Sequence, residues 1–145
     1  MKKILLVLAM IPLVAFASPR EPKFKIYDFP ITRVIDGDTV GFRADFLPEP
    51  LKKELLVRIY GVDTPEKGWR AQCDKESTQG LVASKFTQDT IKQAGQVRIA
   101  IMTWDKYGGR VLGDVIVDGK SLRQLLIEHG YAREYFGDKK QSWCK

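Results

Sequence analysis

The stretch that most limits what this chain can fold into runs from Leu55 to Glu66. Leu55, Val57 and Ile59 share one parity, and Arg58 and Tyr60 the other, which is the period-two pattern of a half-buried strand. Gly61 breaks the run, and Pro65 keeps Thr64 out of the helical region. Arg58 therefore stands on a stiff strand, with Asp63 and Glu66 in the turn just beyond its end. A cation and two carboxylates gathered at a strand end suit a site carried on a rigid scaffold. The plainer reading is that they are solvated charges flanking a Gly/Pro turn.

The rest of the chain supplies partners for that strand. Residues 24–35 read as a strand. Asp36-Gly37 is a turn, and a second strand follows over 38–43 with Asp38 at its start. Residues 45–53, with Pro48 and Pro50, form a loop. A helix is expected over 78–94, stopped by Gly95, with Val82, Phe86 and Ile91 packing on the sheet. Residues 96–103 alternate again, placing Val97, Ile99 and Ile101 on one side. Residues 104–109 turn, and 111–117 form a further strand closed by Asp118-Gly119. Ser121 caps a short helix in which Gln124 completes a capping box and Leu122, Leu125 and Leu126 form the apolar stripe. His129 lies where it would cap the last carbonyls, and 131–136 read as a last short strand. Five short strands with two helices suggest an α+β, mainly β domain built on a small closed or nearly closed antiparallel barrel.

Ahead of this lies a segment of different character. Lys2 and Lys3 precede an apolar run of thirteen residues, 4–16, interrupted only by Pro12, and Ala15-Phe16-Ala17 is a small-x-small site. That is a signal peptide, 1–17, too short for the ~20 residues of a membrane span. No Cys stands near Ala17 to carry a lipid, and no later segment is apolar enough to cross a membrane. The expectation is a single domain, 18–145, secreted or periplasmic, without a membrane anchor or a stable protein partner, and monomeric. Once the signal is removed, 22 basic residues face 18 acidic ones, a balance of +4 that favours a polyanionic partner. The two cysteines, Cys73 and Cys144, are an even count in an exported chain and suggest a disulfide. A zinc site is disfavoured, because His129 is the only histidine.

Three segments hold the charges that could do chemistry: 36–39, 58–66 and 105–110. They offer carboxylates and arginines, with no nucleophilic triad. Asp38, Asp63 and a backbone carbonyl would be hard oxygen ligands, suited to calcium or magnesium. Two arginines opposite such a cation suit a phosphate, whose oxygens their planar forks take in pairs. Glu66 could orient or deprotonate a water. The set suffices for phosphodiester hydrolysis.

In order and composition these segments resemble the staphylococcal nuclease family: Asp36-Gly37-Asp38-Thr39-Val40, then Arg58-Ile59-Tyr60-Gly61-Val62-Asp63-Thr64-Pro65-Glu66, then Asp105-Lys106-Tyr107 with Arg110. The resemblance implies a five-stranded OB-fold barrel with two or three short helices, and a calcium-dependent endonuclease that cleaves DNA and RNA to leave 3′-phosphates. It implies that Asp38, Asp63 and the Thr64 carbonyl hold the calcium, and that Glu66 is the general base or orients the attacking water. Arg58 and Arg110 would bind the scissile phosphate, Lys106 and Tyr107 would lie beside a terminal phosphate, and Tyr135 would border the nucleotide. A catalytically weak nucleic-acid-binding OB-fold module of the cell envelope is the alternative. The chain departs from the best-known member in three places. It has one glycine more before Arg110 and a longer 45–54 loop. It also lacks a long C-terminal helix, in whose place a Cys73–Cys144 bridge is expected to anchor the end.

Overall fold

A computed structural model describes residues 23–145; the expected signal peptide, 1–17, and the start of the expected leader lie outside the described residues. The strands are β1 (Lys25–Tyr27), β2 (Ile31–Asp36), β3 (Thr39–Arg43), β4 (Glu54–Ile59), β5 (Val62–Asp63), β6 (Val97–Trp104), β7 (Arg110–Val117), β8 (Lys120–Ser121) and β9 (Arg133–Glu134). The helices are α1 (Asp74–Gln93) and α2 (Leu122–Glu128), with a 3-10 turn at Gly68–Arg70. Seven strands make one sheet in the order β1-β6-β7-β4-β3-β2, with β8 beside β7, and β5 pairs separately with β9.

The two edges of this sheet, β1 and β2, are joined by only Asp28, Phe29 and Pro30. Such a link reaches about 14 Å, whereas six strands laid flat would set their edges about 24 Å apart. The sheet must therefore curl to bring its edges within that reach, and the Arg43 N–H, donating to the Pro30 carbonyl at 2.8 Å, extends the β2–β3 ladder to the start of the link. Counted as one bent strand, β1 and β2 make five with β3, β4, β6 and β7, the mainly β OB-like architecture the sequence implies. One expectation is corrected: the barrel is mixed, because β4 and β7 run parallel. The long crossover through α1 and β6 between them permits that direction.

β4 alternates as its sequence requires, with Leu55, Val57 and Ile59 buried and Glu54, Leu56 and Arg58 half-buried. Its apolar face joins Val40, Phe42, Ile99, Val115, Leu122 and Leu126 in one core. β3 departs from simple alternation, since Thr39, Val40, Gly41 and Phe42 are all buried, and Asp38 belongs to the turn before it.

The first helix differs more. It begins at Asp74, four residues before the expected start, with the Cys73 sulfur accepting from the Glu76 N–H at 3.4 Å. Its buried face is Glu76, Gly80, Ala83, Ser84 and Thr87, while Val82 is exposed. Phe86 and Ile91 pack against the core as expected. Apolar periodicity misses this face because small residues make it, and small residues let the helix lie close. At α2 the Ser121 Oγ accepts from the Gln124 N–H at 3.2 Å, but the Gln124 side chain reaches Glu128, so the capping box is half formed. His129 Nδ1 lies 2.8 Å from the Leu125 carbonyl oxygen, the capping role its position implies. The last strand is shorter than expected, Arg133–Glu134, and pairs with β5.

Cys73 and Cys144 form a disulfide across 71 residues of sequence. Closing so long a loop removes unfolded-state entropy worth about 4 kcal/mol in the chain-entropy model. Cys144→Ser should therefore lower the unfolding free energy by about 2–4 kcal/mol, read as a lower urea midpoint. Thiol titration of the unfolded parent should find no free thiol; two reactive thiols would remove the premise.

Candidate active site

Burying Val57 and Ile59 in the core turns Arg58 to the opposite face of β4, where it lines a cleft of about 620 Å³. The turn between β2 and β3 is fixed beside it. Thr87 of α1 donates its hydroxyl to the Gly37 carbonyl at 2.7 Å. A Cβ at Gly37 would lie 2.9 Å from Thr64 Cγ2 and 3.0 Å from Ala83 Cβ, so only glycine fits between the helix and the segment after β5. This places Asp38 against Thr64, whose N–H donates to Asp38 Oδ2 at 3.1 Å. Thr39 Oγ1 donates to the other oxygen at 3.1 Å, and Arg58 Nη1 donates to it as well. Asp38 is 1% exposed. Burial pushes its carboxyl up to about 7, against the pull of the Arg58 charge, and neighbouring Asp36 adds to the rise.

Asp63 faces different partners. Trp143 Nε1 donates to its Oδ2 at 3.1 Å, Lys140 Nζ lies 2.6 Å from its Oδ1, and Arg58 Nη2 is 3.9 Å from the same oxygen. Burial works against the Lys140 charge, but the hydrogen bond and charge of Asp63 outweigh it and hold the ammonium above its ordinary pKa. Glu66 is held from two sides. Its backbone N–H donates to Glu76 Oε1 at 3.2 Å, and its carboxylate lies 3.5 Å from Arg70 Nε. Arg70 also donates to Asp36 Oδ2 at 3.3 Å.

Arg110 opens β7 and lines the same cleft as Arg58 and Glu66. Its Nε donates to the Asp105 carboxylate, and its guanidinium lies 4.7 Å from the Tyr107 ring centre. Gly108 and Gly109 form the turn before it, Gly109 at φ 74°, so the additional glycine is absorbed without turning Arg110 out of the cleft. Lys106, Tyr107 and Tyr135 line the cleft too. Asp63 and Thr64 line a smaller adjoining pocket of about 260 Å³, which shares Glu66, Arg70 and Lys140 with the first. Asp38 lines neither, and lies buried under Arg58.

Four residues at the site have no counterpart in the sequence reading, Arg70, Glu76, Lys140 and Trp143, and Asp36 enters it only as part of a turn and motif. Glu76 was legible in principle, as an acid three residues past a capping position, but that signal needs the earlier helix start. Trp143 was visible as the one apolar residue of a polar tail next to Cys144.

Among the described residues, no three His, Cys, Asp or Glu side chains converge as a complete ligand set. The donors still fit a hard cation. Asp36 Oδ1 and Asp63 Oδ1 are buried oxygens without a hydrogen bond of good geometry, the latter met by Lys140 as an ion pair. Carboxylate oxygens short of partners, a nearby backbone carbonyl and an open pocket suit calcium, which completes its shell with water. They do not suit zinc.

Residues 56–143 match the family described as staphylococcal nuclease homologue. The endonuclease YhcR of Bacillus subtilis (strain 168) is 28% identical over 116 residues, 76% of this chain and 9% of its own length. The endonuclease YncB of the same organism is 33% identical over 112 residues, 75% of this chain and 48% of its own length. The prophage-derived endonuclease YokF is 30% identical over 112 residues, 75% of this chain and 34% of its own length. The chain thus spans less than half the length of each of these relatives.

The packing of α1 under Glu66 is open to test. A Cβ at Gly80 would meet the Glu66 carbonyl oxygen at 2.3 Å and that of Pro65 at 2.8 Å. Helix propensity alone favours alanine there by about 1 kcal/mol, but backbone oxygens cannot yield like a flexible side chain. Gly80→Ala should cost a net ~1–3 kcal/mol through overpacking, read in denaturant. Greater stability would mean that α1 does not press on the Glu66 segment.

Proposed function

The chain belongs to the staphylococcal nuclease family, and from that premise we propose that it is an endonuclease hydrolysing DNA and RNA phosphodiester bonds, dependent on calcium and leaving 3′-phosphates. The observation that carries this reading is the convergence of Arg58, Glu66 and Arg110 on one cleft, with Asp38 and Asp63 both within reach of Arg58. The resemblance to three endonucleases of Bacillus subtilis supports it.

In this reading Asp38, Asp63 and the Thr64 carbonyl would hold the cation. The bound cation would supply charge to draw in and polarise the phosphate. Arg58, parked on Asp38 without substrate, turns its fork to the phosphate oxygens. Arg110 leaves Asp105 to do the same from the neighbouring strand β7, so that both guanidiniums meet the charge that grows on the phosphoryl oxygens. Glu66 accepts the proton of the attacking water. Water oxygen bonds to phosphorus as the bond to the 5′-oxygen breaks; that oxygen takes a proton from solvent and departs as a 5′-hydroxyl, leaving the phosphate on the 3′ side. Lys106 and Tyr107 flank a terminal phosphate, and Tyr135 offers a ring to a base. The protein works as an exported monomer. A disulfide persists in an oxidising compartment, which supports export.

A nucleic-acid-binding module with weak catalysis would use the same basic and aromatic walls. It would have no use for Glu66 beside a buried acid pair. Nuclease assays with and without chelator, on the parent and Glu66→Gln, separate the two. Chelator should abolish cleavage, and Glu66→Gln should lower turnover by about 10²–10⁴-fold while nucleotide binding persists. Binding without cleavage in the parent would favour the module, and full activity in chelator would exclude calcium. In the same assay Arg110→Lys should be nearly as damaging as Arg110→Ala, because an ammonium cannot reproduce the paired contact.

A further inference from the structure

The C-terminal tail reaches into the site at Asp63 and touches its two oxygens with different chemistry. Trp143 is 8% exposed, and its indole N–H donates to Oδ2 at 3.1 Å. The indole is clamped. Arg133, paired with Asp63 between β5 and β9, lies 3.7 Å over its ring, and Arg133 Nη1 donates to the Ser142 carbonyl at 3.1 Å. Cys144, the next residue, is bridged to Cys73 at the start of α1. Trp143 therefore cannot drift, and its one hydrogen bond fixes the rotation of the Asp63 carboxylate. Lys140 has no such restraint. Its half-exposed ammonium lies 2.6 Å from Oδ1, and its other aromatic contact is Tyr135 at 5.6 Å.

We propose that this tethered tail sets the cation affinity of Asp63, Trp143 raising it and Lys140 lowering it. The inference rests on Asp63 as a cation ligand in the function proposed above. A donor on the far oxygen orients a ligating carboxylate, and loss of such a partner typically weakens binding by about 10–100-fold. Lys140 acts in the opposite sense. It neutralises Oδ1 when no cation is bound, so an incoming cation must displace it and then bear its repulsion. The protein thus carries a resident counter-ion for a buried carboxylate and a rigid donor that keeps that carboxylate aimed.

The test is calcium calorimetry on the full exported chain with its disulfide intact and no nucleic acid present. Trp143→Phe keeps a ring under Arg133 while removing the N–H and part of the indole's bulk; its calcium Kd should rise about tenfold. Lys140→Gln should lower the Kd about threefold, the scale of one like charge removed at a partly solvated site. The calcium-induced rise in unfolding midpoint gives a second reading of the same order of affinities. A purely structural tail would lower both midpoints in chelator without moving the two affinities apart. Shifts in the same direction, or none, in variants that fold and beside a parent that binds calcium would overturn the tail's role alone. A parent that binds no calcium at 10 mM, well above the ~10⁻⁴–10⁻³ M range of extracellular sites, would overturn the ligand reading and this inference together.

Discussion

The Asp38 carboxylate is 1% exposed, and its partners come from three separate segments: Thr39 beside it, Arg58 on β4 and the Thr64 N–H beyond β5. Each must be in place before the charge can be buried. A buried ion pair seldom adds net stability, yet breaking one by removing a partner costs about 3–5 kcal/mol. The arrangement therefore reads as a demand placed on the fold. The β3–β4 ladder meets it by pairing Thr39 with Arg58, and the apolar face of β4 keeps that ladder rigid. Burial outweighs the pull of the Arg58 charge there and pushes the Asp38 carboxyl up to about 7.

The second constraint is the close approach of α1. Its buried face of Gly80, Ala83, Ser84 and Thr87 contributes little apolar area and much proximity. Thr87 holds the Asp38 turn by its Gly37 carbonyl, and Gly80 lies under Glu66. Glu76 takes the Glu66 N–H with one oxygen and the Gln72 N–H with the other. One helix thus fixes both the carboxylate turn and the segment bearing Glu66. The disulfide at its first turn ties the tail to the same body.

What the sequence made legible follows from what each signal measures. Period-two alternation reports a sheet with one face in a core, so β4 and β6 were readable, and Arg58 fell on the correct face of its strand. β3 was less so, because it is buried on both faces. Large apolar residues at helical spacing report a face that gains area, so a face of Gly, Ala, Ser and Thr stays silent and Val82 misleads. The site segments were legible because their charges cluster at strand ends. Arg70 and Lys140 were not, because nothing local marks them, and Trp143 was marked only as an apolar residue in a polar tail, with no sign of its partner. Their partners Asp36, Glu66 and Asp63 are brought to them by tertiary packing, and in Trp143's case across 80 residues.

Without substrate the site is almost wholly self-paired: Asp38 with Arg58, Asp63 with Lys140, Asp36 and Glu66 with Arg70, and Asp105 with Arg110. Such pairing has a consequence for how a polyanion and a divalent cation could enter together. A phosphate alone would draw Arg58 and Arg110 from Asp38 and Asp105 and leave carboxylates uncompensated in a poorly solvated place. A cation alone would take Asp38 and Asp63 and leave Arg58 and Lys140 facing it. When both arrive, the cation compensates Asp38 as the phosphate takes Arg58, and neither member of that buried pair is left alone. In such an exchange each ligand removes part of the penalty of the other, which is positive coupling between two binding events. Arg58, which touches both carboxylates and lines the cleft, is the residue through which that coupling must pass.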